Sequence, residues 1–161
     1  MNEEMALIAA LKTQHKNLVL SMFDEGILDD QFTQVQALED ESHFVNQVIT
    51  VFCNDTERAI TELNKNLSYQ NVDFEKLYDS IHRLKGSSSS IGAQRFKFAC
   101  MELHLASEYK HKDGCLRALN NMTREYLLLR SKFETLIELE NRVSAIETRE
   151  RYRGNHNAAS T

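Results

Sequence analysis

The stretch 71-NVDFEKLYDSIHRLKGSSSSIG-92 decides how this chain is read. Apolar or small residues recur at Phe74, Leu77, Tyr78, Ile81, Leu84, Ser88 and Ile91, in steps of three and four, the period of one buried helical face. Asn71 or Asp73 is placed to cap the start, and Gly92 to stop the end. At ~100° per residue His82 falls off that stripe. Its neighbours on the outer face, at offsets of three, four and seven, are Glu75, Asp79, Lys85, Gly86 and Ser89.

A helix selected for stability alone would not carry such a run. Glycine in a helix interior costs about 1 kcal/mol relative to alanine, and each serine adds a few tenths. Small residues have two uses here. On the core side Ser88 lets a neighbouring helix come close. On the outer side Gly86 and Ser89 clear the space around the imidazole for the surface of another protein. A neutral imidazole is a good nucleophile and can carry a phosphoryl group. That group moves through a loose transition state with charge spread over three oxygens, so positioning and a nearby cation suffice, and Lys85 stands one turn along. An exposed helical histidine beside a lysine is also an ordinary surface feature, and spacing by itself leaves both readings open.

Helical patterning extends in both directions. Met5, Ile8, Leu11, Leu18 and Met22 outline a first helix ending near Gly26. Asp29 or Asp30 caps a short second one with Phe32, Val35 and Leu38 on one face. A third starts near Ser42 and turns Phe44, Val48, Val51, Phe52, Ile60, Leu63 and Leu67 inward. After the fourth, a segment from Ala93 to about Lys110 buries Phe96, Ala99, Cys100, Leu103 and Ala106 or Ser107, and "HKDG" turns the chain. The last helix runs from about Cys115 to Thr148 on Leu119, Met122, Tyr126, Leu129, Phe133, Leu136, Leu139 or Glu140, Val143 and Ile146. Short connections between the third to sixth helices predict an all-α fold: an antiparallel four-helix bundle with two additional N-terminal helices packed beside it. Residues 1–148 read as a single domain, and the polar 149–161 as a disordered tail.

Composition agrees with this class. A chain of 161 residues suits one domain, and with no proline and five glycines it lacks the turn residues of a β-protein. No apolar run approaches the ~18 to 20 residues that span a bilayer, and "MNEEMALIAALKTQ" lacks the basic-then-apolar order of a secretion signal. Cys53, Cys100 and Cys115 are an odd count without close spacing, so reduced thiols in an intracellular protein are expected. Glycosylation-like triplets at Asn54, Asn66 and Asn121 are then chance matches. The net charge of −5 argues against nucleic acid as a partner. Residues 1–70 hold 4 Lys/Arg against 12 Asp/Glu and residues 71–161 hold 15 against 12, so the second part suits a locally acidic partner surface.

Other histidines offer less. His15, His43, His111 and His156 are scattered. His104, His111, Asp113 and Cys115 match no standard metal-ligand spacing, and a bundle di-iron site requires Glu-x-x-His on two facing helices whereas only His111 has a glutamate, Glu108, three residues before it, so no metal is expected. "RLKGSSSS" as a serine-kinase substrate would be shielded inside a folded helix.

The motif 81-IHRLKGSSSSIGAQR-95 resembles the signature of histidine-containing phosphotransfer proteins, closely the plant type that serves cytokinin phosphorelays. The flanks "FDEGILDDQFTQVQALEDES", "FVNQVITVFCNDTERAI" and "EYLLLRSKFETLIELE" resemble that family's helices, in order, over roughly residues 20 to 141. The resemblance implies that His82 is the phosphoacceptor and donor, Lys85 the stabilising cation and Gly86, with Ser89, the access to it. It implies receiver domains of hybrid sensor histidine kinases and of response regulators as partners, Mg²⁺ on the receiver rather than on this chain, no ATP site, and a stoichiometric carrier rather than an enzyme. A monomer in cytoplasm and nucleus, without membrane attachment, is implied too. Two departures stand out. Arg83 takes the place of the glutamine usual in plant members, adding charge at the docking rim, and His104 stands where many relatives have an arginine facing the active histidine. Asp79 and the apolar Ile27, Leu28 and Phe32 are further candidates for the docking surface. The competing class is a non-catalytic helical adaptor that binds receivers without relaying phosphate.

Overall fold

The computed structural model describes residues 2–38 and 43–159, and among these it holds six helices and no strand. They are α1 Glu3–Asp24, α2 Asp30–Ala37, α3 Phe44–Ser68, α4 Phe74–Ile91, α5 Gln94–Glu108 and α6 Lys112–Ala159. Ser42, where the third helix is expected to start, lies outside the described residues. The residues gather into two compact units, one of residues 23–131 and one of residues 2–22 with 132–159.

In the larger unit α3, α4, α5 and the first part of α6 close a ring of neighbours, the expected four-helix bundle. Helix α4 packs against α3 on one side and α5 on the other. Arg95 and Glu125 (2.8 Å) and Asn121 and Glu102 (3.1 Å) join α5 to α6. Tyr126 closes the ring, its hydroxyl donating to the Cys53 carbonyl (3.1 Å) and to Glu57 (2.9 Å) on α3. The core holds the rings of Phe52, Phe96 and Tyr126 edge to face, at 5.9 and 6.0 Å between centroids.

Both ends of α4 follow from local chemistry. The Asp73 carboxylate accepts from the Lys76 N–H (3.1 Å), the N-cap that the residue type favours. Asn66 brackets the preceding turn, its amide donating to the Asp73 carbonyl (2.8 Å) and accepting from the Asp73 N–H (2.9 Å). That side chain is thereby a structural staple. At the other end Gly92 takes the left-handed conformation, φ 80°, and closes the helix.

The loop before α2 lies on this closure. The Asp29 N–H donates to the Gly92 carbonyl (2.9 Å), while the Asp29 carboxylate caps α2 through the Gln31 N–H (3.0 Å). Ile27, Leu28 and Phe32 are carried inward and are only 3%, 2% and 1% exposed. They form core, with the Phe23 ring 6.5 Å from that of Phe32, and cannot supply an outer docking surface as the sequence led us to expect.

In the smaller unit Leu11 of α1 packs with Leu139, Val143 and Ile146 of α6, and Ile8 lies against them. Lys12 pairs with Glu147 (3.0 Å) and Arg153 with Glu4 (3.2 Å). Helix α6 therefore continues to Ala159, where a disordered tail from residue 149 is expected. It also begins earlier, at Lys112, because His111 Nδ1 accepts from the Gly114 N–H (2.9 Å) in the manner of an N-cap.

Four apolar positions turn outward against the periodicity: Met5, Leu38, Val51 and Tyr78. Leu38 is the C-cap residue just past α2, and the other three lie beside the stripe rather than on it. The buried face of α3 follows Val45, Ile49, Phe52, Thr56, Leu63 and Leu67, and that of α4 leans toward Ser80.

Candidate functional site

His82 stands on the outer crest of α4 and is exposed, as its spacing predicts. Neither of its ring nitrogens makes a hydrogen bond among the described residues. Its flanks differ, because a residue either side of the crest leans toward a different neighbouring helix.

On the α5 flank Tyr78, one turn before His82, lays its ring parallel to the imidazole, 6.1 Å between centroids and 10° between planes. The same tyrosine meets His104 of α5 edge-on at 5.0 Å. Lys85 leans the same way, its ammonium 3.2 Å from His104 Nδ1. His104 Nε2 in turn lies 3.1 Å from the Glu108 carboxylate. The imidazole of His104 is 16% exposed and has both nitrogens engaged, whereas His82 has both free. Of these two histidines, only His82 presents an open nucleophile.

On the α3 flank Arg83 reaches Glu62 (3.8 Å) and Ser80 (3.4 Å). Both charged side chains are mostly in water, so the pair contributes little stability. Asp79, His82 and Arg83 line one wall of a cleft of about 850 Å³, opposite Glu62, Lys65 and Asn66 of α3. Asp79 and Arg83 thus belong to the rim around His82.

The small residues divide as their positions require. Ser88 is fully buried beside Cys100 of α5, its hydroxyl donating to the Leu84 carbonyl (2.5 Å). Burial pushes the Cys100 thiol up to about 12, so it stays neutral. Ser87 and Ser90 return their hydroxyls to the carbonyls of Leu84 (3.1 Å) and Gly86 (3.0 Å). Ser89 is half-buried. Gly86 is exposed, and a β-carbon there would meet no other atom within 4 Å. Nothing among the described residues asks for glycine at that position.

Of the residues singled out from sequence, His82, Lys85, Gly86, Ser89, Asp79, Arg83 and His104 gather on or beside one crest; Ile27, Leu28 and Phe32 do not. Tyr78 and Glu108 were missed. The i,i+4 spacing of Tyr78 and His82 was the available signal, hidden because Tyr78 also fits the edge of the apolar stripe. His104, His111, Asp113 and Cys115 do not assemble, since His111 caps α6 and Cys115 is buried in the core. Among the described residues no three His, Cys, Asp or Glu side chains converge as a metal site would need, and no helix is long and apolar enough to cross a membrane.

A family model described as the Hpt domain matches residues 47–148, which include the whole of α4 and α5. Histidine-containing phosphotransfer protein 1 of Oryza sativa subsp. japonica is 43% identical over 139 residues, spanning 85% of this chain and 95% of that one. Histidine-containing phosphotransfer protein 1 of Arabidopsis thaliana is 46% identical over 127 residues, spanning 78% and 82%. The X-ray structure of a rice histidine-containing phosphotransfer protein superposes with a TM-score of 0.80 at 43% identity, covering 84% of this chain and 98% of that one. With an open imidazole at the position the motif assigns to it, and matches that extend along most of its length, this chain belongs to the Hpt-domain family of histidine-containing phosphotransfer proteins.

Proposed function

We propose that the chain is a phosphorelay intermediate. His82 accepts a phosphoryl group from the phosphoaspartate of a hybrid sensor kinase's receiver domain and passes it to the receiver aspartate of a response regulator. A neutral ring nitrogen attacks phosphorus in line. The N–P bond forms as the P–O bond to the aspartate breaks, the carboxylate leaves with the electron pair, and the positive charge gained by the ring is relieved by loss of its other N–H proton. The second receiver runs the same steps in reverse. Lys85 meets the charge on the phosphoryl oxygens, and Gly86 and Ser89 leave room for the receiver's active face. Mg²⁺ for the exchange is carried by the receiver.

One observation carries this reading: an exposed imidazole with two unbonded nitrogens, beside a lysine and beside a glycine that the chain's own packing does not require. The chain then acts as a stoichiometric carrier with no ATP chemistry, a monomer moving between cytoplasm and nucleus, and its kinship with plant members points to cytokinin signalling. Tyr78, 43% exposed and stacked on His82, supplies apolar docking surface, and Asp79 and Arg83 supply charge at the rim.

Incubation with a phosphorylated receiver tests the proposal. Acid-labile, base-stable label should appear on the wild-type chain and be absent from His82→Gln. Receiver binding without any label on the wild type would replace the relay with the adaptor reading.

A further inference from the structure

Lysine has three N–H donors and no acceptor, so the nitrogen of His104 that faces Lys85 can only accept. That fixes the ring. Nδ1 is bare, and Nε2 carries the proton and donates it to Glu108. The result is a directed chain, Lys85 to His104 to Glu108, running from the crest of α4 across to α5 and ending on a carboxylate.

We propose that His104 is a positioning residue for phosphoryl transfer: its bare Nδ1 holds the Lys85 ammonium in place beside His82, and a second proton on the ring releases it. The proposal rests on the relay reading above and concerns the cation rather than the acceptor. A lysine side chain is long and flexible, and holding one of its donors restricts the head group while leaving two N–H groups for phosphoryl oxygens. Tyr78 closes the other side of the His104 ring at 5.0 Å, so the imidazole cannot swing away without uncovering the surface on which His82 stacks. The groups that face the ring are Lys85 and Tyr78 from α4 and Glu108 from its own helix. Cys100, one turn earlier on α5, faces Lys85 as a neutral thiol.

Protonation at Nδ1 converts the acceptor into a donor and sets an imidazolium against an ammonium. The hydrogen bond becomes repulsion. Glu108 stabilises the charged ring but cannot restore the contact with Lys85.

The test is the rate of transfer from a phosphorylated receiver to wild type, His104→Gln, His104→Leu, Lys85→Ala and the double variant Lys85→Ala/His104→Leu. The glutamine side chain can accept from Lys85 and does not titrate. His104→Leu should slow transfer at saturating receiver by about tenfold or more, the worth of one hydrogen bond to a charged group, with the half-saturating receiver concentration unchanged. In the Lys85→Ala background the same substitution should cost nothing further. As the pH is lowered, the ratio of wild-type rate to His104→Gln rate should fall by about threefold or more. A ratio that stays flat, or an equal loss from His104→Leu with and without Lys85, overturns the inference while label on His82 keeps the relay reading intact. A wild-type chain that takes no label overturns both.

Discussion

A β-carbon on Gly92 would lie 2.5 Å from the Phe32 backbone nitrogen and 2.8 Å from the Asp29 carboxylate, so the end of α4 and the start of α2 meet with no room for a side chain. The φ of 80° at Gly92 adds a backbone conformation that other residues avoid. Gly92→Ala should therefore cost about 2 to 4 kcal/mol of unfolding free energy, read from chemical denaturation. A loss below the cost of one ordinary surface substitution would show that the junction gives way easily.

Gly86 should behave in the opposite way. It is exposed in the middle of a helix, with open space where its β-carbon would be. Gly86→Ala should raise stability by about 0.5 to 1 kcal/mol, the ordinary helix preference for alanine. It should also weaken receiver docking, with bulkier residues at this position weakening it further. Unchanged transfer in Gly86→Leu would remove the reason given for the glycine.

Arg83 stands at the rim, its side chain 72% exposed, in a 3.8 Å pair with Glu62. Arg83→Gln should leave stability within about 0.5 kcal/mol, as exposed pairs do. It should change the ranking of receivers, slowing transfer from those with acidic rims by about two- to fivefold at low salt and less at high salt. An equal effect on every receiver would assign Arg83 a general role instead.

Glu57 links α3 to α6, accepting from Arg130 (2.8 Å) and from the Tyr126 hydroxyl (2.9 Å). The Arg130 bond first, then the Tyr126 bond, hold its carboxyl below the usual carboxylate range, while burial pushes the Tyr126 hydroxyl up. A lowered folded pKa means a stabilising contribution that is complete above the ordinary carboxylate range and lost as pH falls through the lowered value. Denaturation midpoints should therefore fall more steeply with acid in wild type than in Glu57→Gln. Tyr126→Phe should cost about 1 to 2 kcal/mol at neutral pH through the two lost hydrogen bonds.

The bundle was legible because its helices are long and each buries one face. The stripe of α6 from Leu119 to Ile146 and that of α5 from Phe96 to Leu103 are buried as their period implies. His82 was legible for the converse reason, since a residue that falls off such a stripe must face out. Ile27 and Leu28 were not, because apolar residues in a loop have no period and their burial depends on what Gly92 allows. The link from Lys85 to His104 joins residues 19 apart on two helices, and only the relative register of those helices brings them together. Tyr78 sat at the margin of the apolar stripe, where a rotation of a fraction of a turn decides between core and crest.

The vacancy above Gly86 has a consequence for how variants of this protein are judged. Any screen that scores the isolated monomer, by melting temperature or by sequence design on this backbone alone, would rate that glycine a defect and replace it. On the proposed reading, in which Gly86 admits a receiver, tolerance at this one position is assessed with a receiver present rather than on the monomer alone.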